Sequence, residues 1–161
     1  MSDAQTVYIL CGPSGAGKST YTKQLIALHG AENVGRCSAD DFFMKDGVYN
    51  FHPSKLGQAH AESQASFRKQ LFSGVKHIVV DNTNTRIWEM KPYVNTAKKV
   101  HDANLVFVLF RGHDAAELAK RNVHGVPQDV IKGMIDRVDN LVIPEDWGGL
   151  VVEMNTHGRN T

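Results

Sequence analysis

Gly12-Pro13-Ser14-Gly15-Ala16-Gly17-Lys18-Ser19 places two glycines four residues apart and follows the second with Lys and Ser. Residues of these types at this spacing suit the binding of a polyanion. The glycines let the backbone fold so that successive N–H groups converge on one centre. A helix starting near Ser19 adds its partial positive end. Lys18 brings a mobile full charge for β- and γ-phosphates, and Ser19 a hydroxyl for Mg²⁺. The loop Gly12–Thr20 is therefore expected to hold a nucleoside triphosphate, most naturally ATP. At ordinary glycine frequency the pattern arises by chance in roughly one such chain in a few hundred.

Other residues complete a phosphoryl-transfer chemistry. Asp40-Asp41 follows a short extended segment, where a carboxylate could face the γ-phosphate and take the proton of an acceptor hydroxyl. An N-cap or a solvated acidic turn is the alternative, and it weighs more for Asp41 than for Asp40. Asp81 closes an apolar run in the manner of a carboxylate that holds Mg²⁺ directly or through water. A turn-forming role is its alternative. Asn82, Thr83 and Asn84 follow on the same rim. Lys120 and Arg121 end a helix before a Gly125 break, where an arginine could swing onto the phosphates. Complementing a helix C-terminus is the alternative, and it weighs more for Lys120 than for Arg121. No Asn-Lys-x-Asp guanine reader is present, which argues against a GTPase.

These groups need elements to hold them. Val7–Cys11, Val75–Val80, Asn104–Phe110 and Leu150–Met154 read as strands, and Asn33–Ser38 as a weaker one. Ser19–His29 reads as a helix closed by Gly30. Pro53–Ser73 reads as a long one, with Leu56, His60, Ser63, Phe67 and Leu71 on one stripe and Gly74 as its stop. Trp88–Asp102 carries Met90, Val94, Ala97 and His101 on one face, with Pro92 expected in its first turn. Asp114 is expected to cap a helix reaching Asn122, and Pro127 to open another reaching about Asn140. Alternation of this kind implies an α/β class: three layers, helices on both faces of a mainly parallel sheet, with a small helical lid over 114–140. Ligands in such sheets bind at the carboxyl ends of the strands, where all these motifs fall.

Composition narrows the choices. The chain has 161 residues, 42% hydrophobic and 22% charged, with a formal net charge of +1, which suits a single domain over 1–161 with a real core. A dedicated nucleic-acid binder usually carries a basic surplus, so any such contact needs a local patch. Cys11 and Cys37 form no disulfide framework, and Cys11 reads as a structural thiol. The eight histidines show no metal-ligand spacing. No stretch is apolar enough to span a membrane, and Met1–Gln5 lacks a signal peptide's features. The expected setting is cytoplasmic or nuclear.

Taken in order, several strings resemble one family. They are the loop Gly12–Thr20, Ser38-Ala39-Asp40-Asp41-Phe42-Phe43, Val79-Val80-Asp81-Asn82-Thr83-Asn84, Trp88-Glu89-Met90-Lys91-Pro92-Tyr93 and Lys120-Arg121-Asn122-Val123-His124-Gly125-Val126. The chain resembles the P-loop domain of the Nedd-four-binding-protein-two family, a branch of the polynucleotide-kinase-like P-loop kinases. The likeness runs from about Val7 to Val138. It implies transfer of the ATP γ-phosphate to a polynucleotide 5′-hydroxyl, RNA or DNA. It implies Asp40 as general base, Asp81 near the acceptor and Arg121 as the lid arginine, with Lys18 and Arg121 balancing charge and Ser19 and Asp81 serving Mg²⁺. Asn82 and Phe43 are expected on the acceptor side. Two departures stand out. Phe43 occupies the position where phage polynucleotide kinases carry an arginine for the acceptor phosphate. A second lid arginine is also missing, with only His124 on offer. Lys45, His52 and Lys55 are the neighbouring basic substitutes. Phe42, Phe43, Tyr49 and Phe51 form an aromatic group that either packs locally or stacks on bases. The rivals are a kinase for a small-molecule hydroxyl and a non-catalytic ATP-binding module.

Overall fold

The computed structural model describes residues 4–99, 102–121 and 125–155. Its centre is a five-stranded sheet of β1 (Thr6–Cys11), β2 (Val34–Cys37), β5 (His77–Asp81), β6 (Asn104–Arg111) and β7 (Leu150–Asn155), in the order β2-β5-β1-β6-β7. All four pairings are parallel. The expected mainly parallel sheet is therefore parallel throughout, and Leu150–Asn155 completes it as an edge strand. Between β2 and β5 lies a two-stranded antiparallel ribbon, β3 (Met44–Lys45) and β4 (Val48–Tyr49). The motif reading did not anticipate it. Its turn is Asp46-Gly47, with φ of 53° and 78°, the positive pair that tight hairpins favour.

Strand periodicity sorts the core into two layers. Val7, Ile9 and Cys11 of β1 face the side covered by α2 (Leu56–Phe72) and α3 (Ile87–Lys99), packing with Phe67, Leu71, Met90 and Tyr93. Tyr8 and Leu10 face the opposite side with Val79, Val108 and Phe110, under Leu25 of α1 (Lys18–His29). This period of two, with both faces covered, explains why the strands read as continuous apolar runs. Helices α4 (Ala115–Arg121) and α5 (Gln128–Asp139) pack on each other through Leu118, Ile131 and Ile135. Among the described residues no helix is long and apolar enough to cross a membrane.

Helix ends follow local chemistry. Gly30, at φ 90°, returns its N–H to the Ile26 carbonyl at 2.8 Å. Beyond α2, Gly74 takes φ 86° and the Val75 N–H reaches back to Gln70 at 3.1 Å. At the start of α3 the Glu89 carboxylate accepts from the Arg86 N–H at 3.0 Å, the reciprocal half of a capping box. This fixes the start at Ile87 and leaves Pro92 inside the helix, beyond the first turn expected for it. The carbonyl that loses its partner to Pro92 belongs to Trp88, a residue 68% exposed at the helix surface. His101, expected on the α3 stripe, lies outside the described residues. On the α2 stripe, Ser63, Phe67 and Leu71 are buried but Leu56 is 41% exposed, because the chain enters the helix from solvent there.

At the opposite end of the sheet from the phosphate loop, the His29 and His77 rings stack at 3.8 Å, and the Tyr8 hydroxyl lies 2.9 Å from His77 Nδ1. Burial, then the neighbouring His29 and Lys76, push the His77 pKa below its ordinary value. A histidine with a lower pKa folded than unfolded binds more protons when unfolded. The stability it supports is present above the unfolded value of about 6.5 and is lost as pH falls below it. Thermal unfolding at about pH 5.5 should therefore come at a lower temperature than at about pH 7.5, and His77→Gln should shrink that difference. An unchanged pH response in the variant would remove His77 from the account.

Candidate active site

The site grows from the carboxyl ends of β1, β2 and β5. Beyond Cys11 the chain passes so close to β6 that a Cβ on Gly12 would sit 2.8 Å from the Cβ of Phe110. The loop needs left-handed backbone at Gly17, φ 105°, which is the N-cap of α1. Its apex lies against α4: a Cβ on Gly15 would be 3.3 Å from the Leu118 carbonyl and 3.8 Å from the Cβ of Arg121. Lys18 is half-buried and donates to the Asn82 carbonyl at 3.2 Å. Burial lowers its pKa, against the pull of Asp81 and Asp40. Cys11 is fully buried, its thiol facing the Met90 sulfur at 3.6 Å, and burial pushes its pKa up. It is a packed thiol, as expected.

A cleft of about 660 Å³ opens over this loop. Ser14, Gly15, Gly17, Lys18, Ser19 and Thr20 line its floor. Asp40, Asp81 and Arg121 line its walls. Gly12, Pro13 and Ala16 are buried behind the loop and shape it from within. Asp40 stands on a 3-10 turn, Ala39–Phe43, whose start is capped by the Ser38 hydroxyl accepting from the Asp40 N–H at 3.2 Å. Tyr49 of β4 donates to Asp40 Oδ1 at 3.2 Å. Burial first, and then Asp40, push the Tyr49 pKa up to about 12, so the phenol stays a donor.

Two expected acceptor-side residues sit elsewhere. Phe43 is 4% exposed and packs edge-on against Phe42, Tyr49 and Phe51. It offers no face to the cleft, because the turn that presents Asp40 directs Phe43 toward Ala59 and the core. Asn82 is 9% exposed and turned inward. Its Oδ1 accepts from the Ala39 N–H at 2.8 Å, and its Nδ2 donates toward Ser63 and Tyr93 at 3.4 and 3.3 Å. The Asn82 side chain thus ties the Asp40 turn to α2 and α3. Its neighbours hold other parts: Thr83 O accepts from the Gly12 N–H at 2.8 Å, and Asn84 Nδ2 donates to Leu10 O at 2.9 Å.

Arg36 was not singled out from the sequence, yet it lines the cleft. Its Nε donates to Asp81 at 3.0 Å and its Nη1 to both Asp41 oxygens at 2.7 and 2.9 Å. Lys45, His52 and Lys55, the basic substitutes suggested by the sequence, do not line the cleft. The β2–β5 register sets Arg36 opposite Val79, and Asp81 is its diagonal neighbour on the same face. Burial works against the guanidinium's charge, but Asp41 and Asp81 outweigh it and raise its pKa. Asn122 and His124 of the expected lid turn lie outside the described residues.

Residues 7–141 match the family described as AAA domain. The chain belongs to this family. Human (Homo sapiens) NEDD4-binding protein 2 is 34% identical over 140 residues, which is 83% of this chain and 8% of that protein. The resemblance read from the motifs therefore holds. A chain of the Pnkp1/Rnl/Hen1 RNA repair complex superposes with a TM-score of 0.68 at 23% identity, over 87% of this chain and 46% of that one. A second structure of the Pnkp1/Rnl/Hen1 complex gives 0.59 at 26% identity, over 75% and 40%. A gluconokinase from Sinorhizobium meliloti 1021 shares the fold, with a TM-score of 0.57 at 12% identity over 96% and 84%. This AAA-family chain thus spans a small part of the human protein and under half of each repair-complex chain. It is a P-loop kinase-like, ATP-binding domain of α/β fold.

The inward Asn82 gives a test of the site's construction. Asn82→Ala leaves the buried Ala39 N–H without its acceptor, which should lower stability by about 1–3 kcal/mol, read from the denaturant midpoint. No loss of stability would mean the amide does not hold the Asp40 turn.

Proposed function

We propose that this domain is an ATP-dependent kinase that moves the γ-phosphate to a 5′-hydroxyl of a polynucleotide, and that it is a single domain with α4 and α5 as its lid. The observation that carries the reading is the convergence of Asp40 and Lys18 on one cleft. Asp40 is a half-buried carboxylate on the same cleft as the loop, which supports the reading that it meets an acceptor hydroxyl. The 26% identity to a chain of the Pnkp1/Rnl/Hen1 complex, an RNA repair complex, supports a nucleic-acid acceptor.

In this reading the backbone of Gly12–Thr20 cradles the phosphates, and Lys18 and Arg121 offset the charge gathering on the transferring group. Asp40 accepts the hydroxyl proton as the acceptor oxygen bonds to phosphorus and the β–γ bridging bond breaks. Ser19 and Asp81 supply hard oxygen donors on one cleft, a set that fits Mg²⁺ with phosphate oxygens and water completing its shell. The ion, when bound, offsets phosphate charge. Asn82 acts through Asp40 as a positioning residue, and Phe43 buttresses the turn.

Labelled-phosphate transfer from γ-labelled ATP to 5′-hydroxyl RNA and DNA oligonucleotides tests this directly. Asp40→Ala should lower turnover by about 10²–10⁴-fold with ATP binding intact, whereas Lys18→Ala should lose ATP binding. A drop under about threefold in Asp40→Ala, far below that range, rules Asp40 out as base. Label appearing only in small metabolites would replace the polynucleotide with a small acceptor.

A further inference from the structure

We infer that Tyr49 is a positioning residue for phosphoryl transfer: from the ribbon β3–β4 its hydroxyl holds one oxygen of the Asp40 carboxylate and so aims the other at the acceptor hydroxyl. The inference rests on the reading that Asp40 takes the acceptor's proton.

The last torsion of an aspartate side chain is broad and roughly two-fold. A base standing on a turn therefore needs a donor to fix which oxygen meets the substrate. Ser38 and Asn82 hold the backbone of the Asp40 turn. Tyr49 holds the carboxylate itself, donating to Oδ1 at 3.2 Å, and hydrogen bonds to carboxylates are among the stronger ones. The chain reaches this contact by a short return path. The turn Ala39–Phe43 runs straight into β3, and β4 comes back with Tyr49 paired to Met44. The Asn50 N–H then closes the ribbon onto the Phe43 carbonyl at 2.9 Å. Nine positions beyond Asp40, the phenol is thus brought against it. The ribbon adds little to the core, with Met44 45% and Val48 63% exposed, and strands of two residues are marginal alone. What it does supply is an immobile ring. Phe43 meets Tyr49 edge-on at 6.2 Å, and Phe51 stacks on it at 6.4 Å with planes 10° apart. Phe43 is itself buried against Ala59. The donor is therefore in place before any substrate arrives, which is where orientation is most effective. Tyr49 does not line the cleft, so it acts through Asp40. The aromatic group of Phe42, Phe43, Tyr49 and Phe51 packs locally, and its packing serves the base.

The test is a double-mutant cycle, read in steady-state transfer from γ-labelled ATP to a 5′-hydroxyl RNA oligonucleotide with Mg²⁺ present. Tyr49→Phe keeps the ring and its stacking and removes only the hydroxyl. It should lower kcat by about 10- to 100-fold, the range for a hydrogen bond to a charged group, with KM for ATP unchanged. Tyr49→Leu removes the ring as well and shows what loss of packing does: its denaturant midpoint should fall well below that of Tyr49→Phe. In an Asp40→Ala background, Tyr49→Phe should cost less than about twofold more, because residues that act as one unit are not additive. Equal losses from Tyr49→Phe with and without Asp40 would make the tyrosine a structural residue and overturn the assignment. So would a Tyr49→Phe protein with kcat within about threefold of wild type, short of the range above, in an enzyme that Asp40→Ala disables; the kinase reading would then stand without Tyr49. If label enters only a small-molecule hydroxyl, the polynucleotide fails alone, and the same cycle on that acceptor decides Tyr49, whose role depends on the base. A wild-type protein that labels no acceptor, or an Asp40→Ala protein with unimpaired turnover, ends the reading on Asp40 and the assignment with it.

Discussion

Polar groups at the end of a parallel sheet must find partners once the strands stop, because buried backbone N–H and C=O groups cannot be left open. Here one run, Asp81–Thr85, meets that demand for most of the site. Asp81 and Asn82 are each 9% exposed, and Asn84 and Thr85 are 1% and 3%, a rare concentration of buried polarity. Each is spent on a different element. Asp81 holds Arg36 of β2, and Asn82 holds the Asp40 turn. Asn84, at φ 46°, reaches back to β1, and Thr85 accepts from Arg137 of α5 at 2.9 Å. The Thr83 and Asn82 carbonyls meet Gly12 and Lys18. Phosphate loop, the Asp40 turn and the helix beyond α4 are therefore all referenced to one short peptide. Displacing it would move the phosphate loop and the Asp40 turn together.

Much of this was legible in the sequence. The glycine spacing of the phosphate loop states its own geometry, since left-handed backbone and close approach have few other residue solutions. The apolar runs state the strands, because a sheet covered on both faces leaves no polar face to interrupt them. Aspartates at strand ends follow from the same logic. The Met44–Tyr49 ribbon also had a signal, Asp46-Gly47, but its strands are two residues each, too short for periodicity to register.

What stayed hidden depends on neighbours that only folding supplies. Asn82 is a polar residue at a strand end, and sequence cannot say whether such a residue faces ligand or core. The buried Ala39 N–H decides it. Phe43 is set by the handedness of a single 3-10 turn, which points Asp40 into the cleft and the residue three further on into the core. Arg36 and Asp81 are far apart in sequence and become neighbours only because β2 pairs with β5 and not with β1. Strand order is the information that a linear reading lacks, and the most informative ion pair of the site rests on it.

The charges of the cleft fit the chain's near-neutral balance of +1. Lys18, Arg36 and Arg121 line the cleft with Asp40 and Asp81, and Asp41 pairs with Arg36 beside it, so the site largely neutralises itself. A half-buried lysine near a second cation would be costly without those carboxylates. Phosphate chemistry needs positive charge only where the anion sits, and a cleft whose cations are paired with its own carboxylates holds that charge without a basic surface. Local pairing of this kind lets a chain with no basic surplus keep three cations on one cleft. It also explains why bulk composition says little about the acceptor: the relevant charge is held in a few ion pairs at the ends of β2 and β5, not spread over the surface.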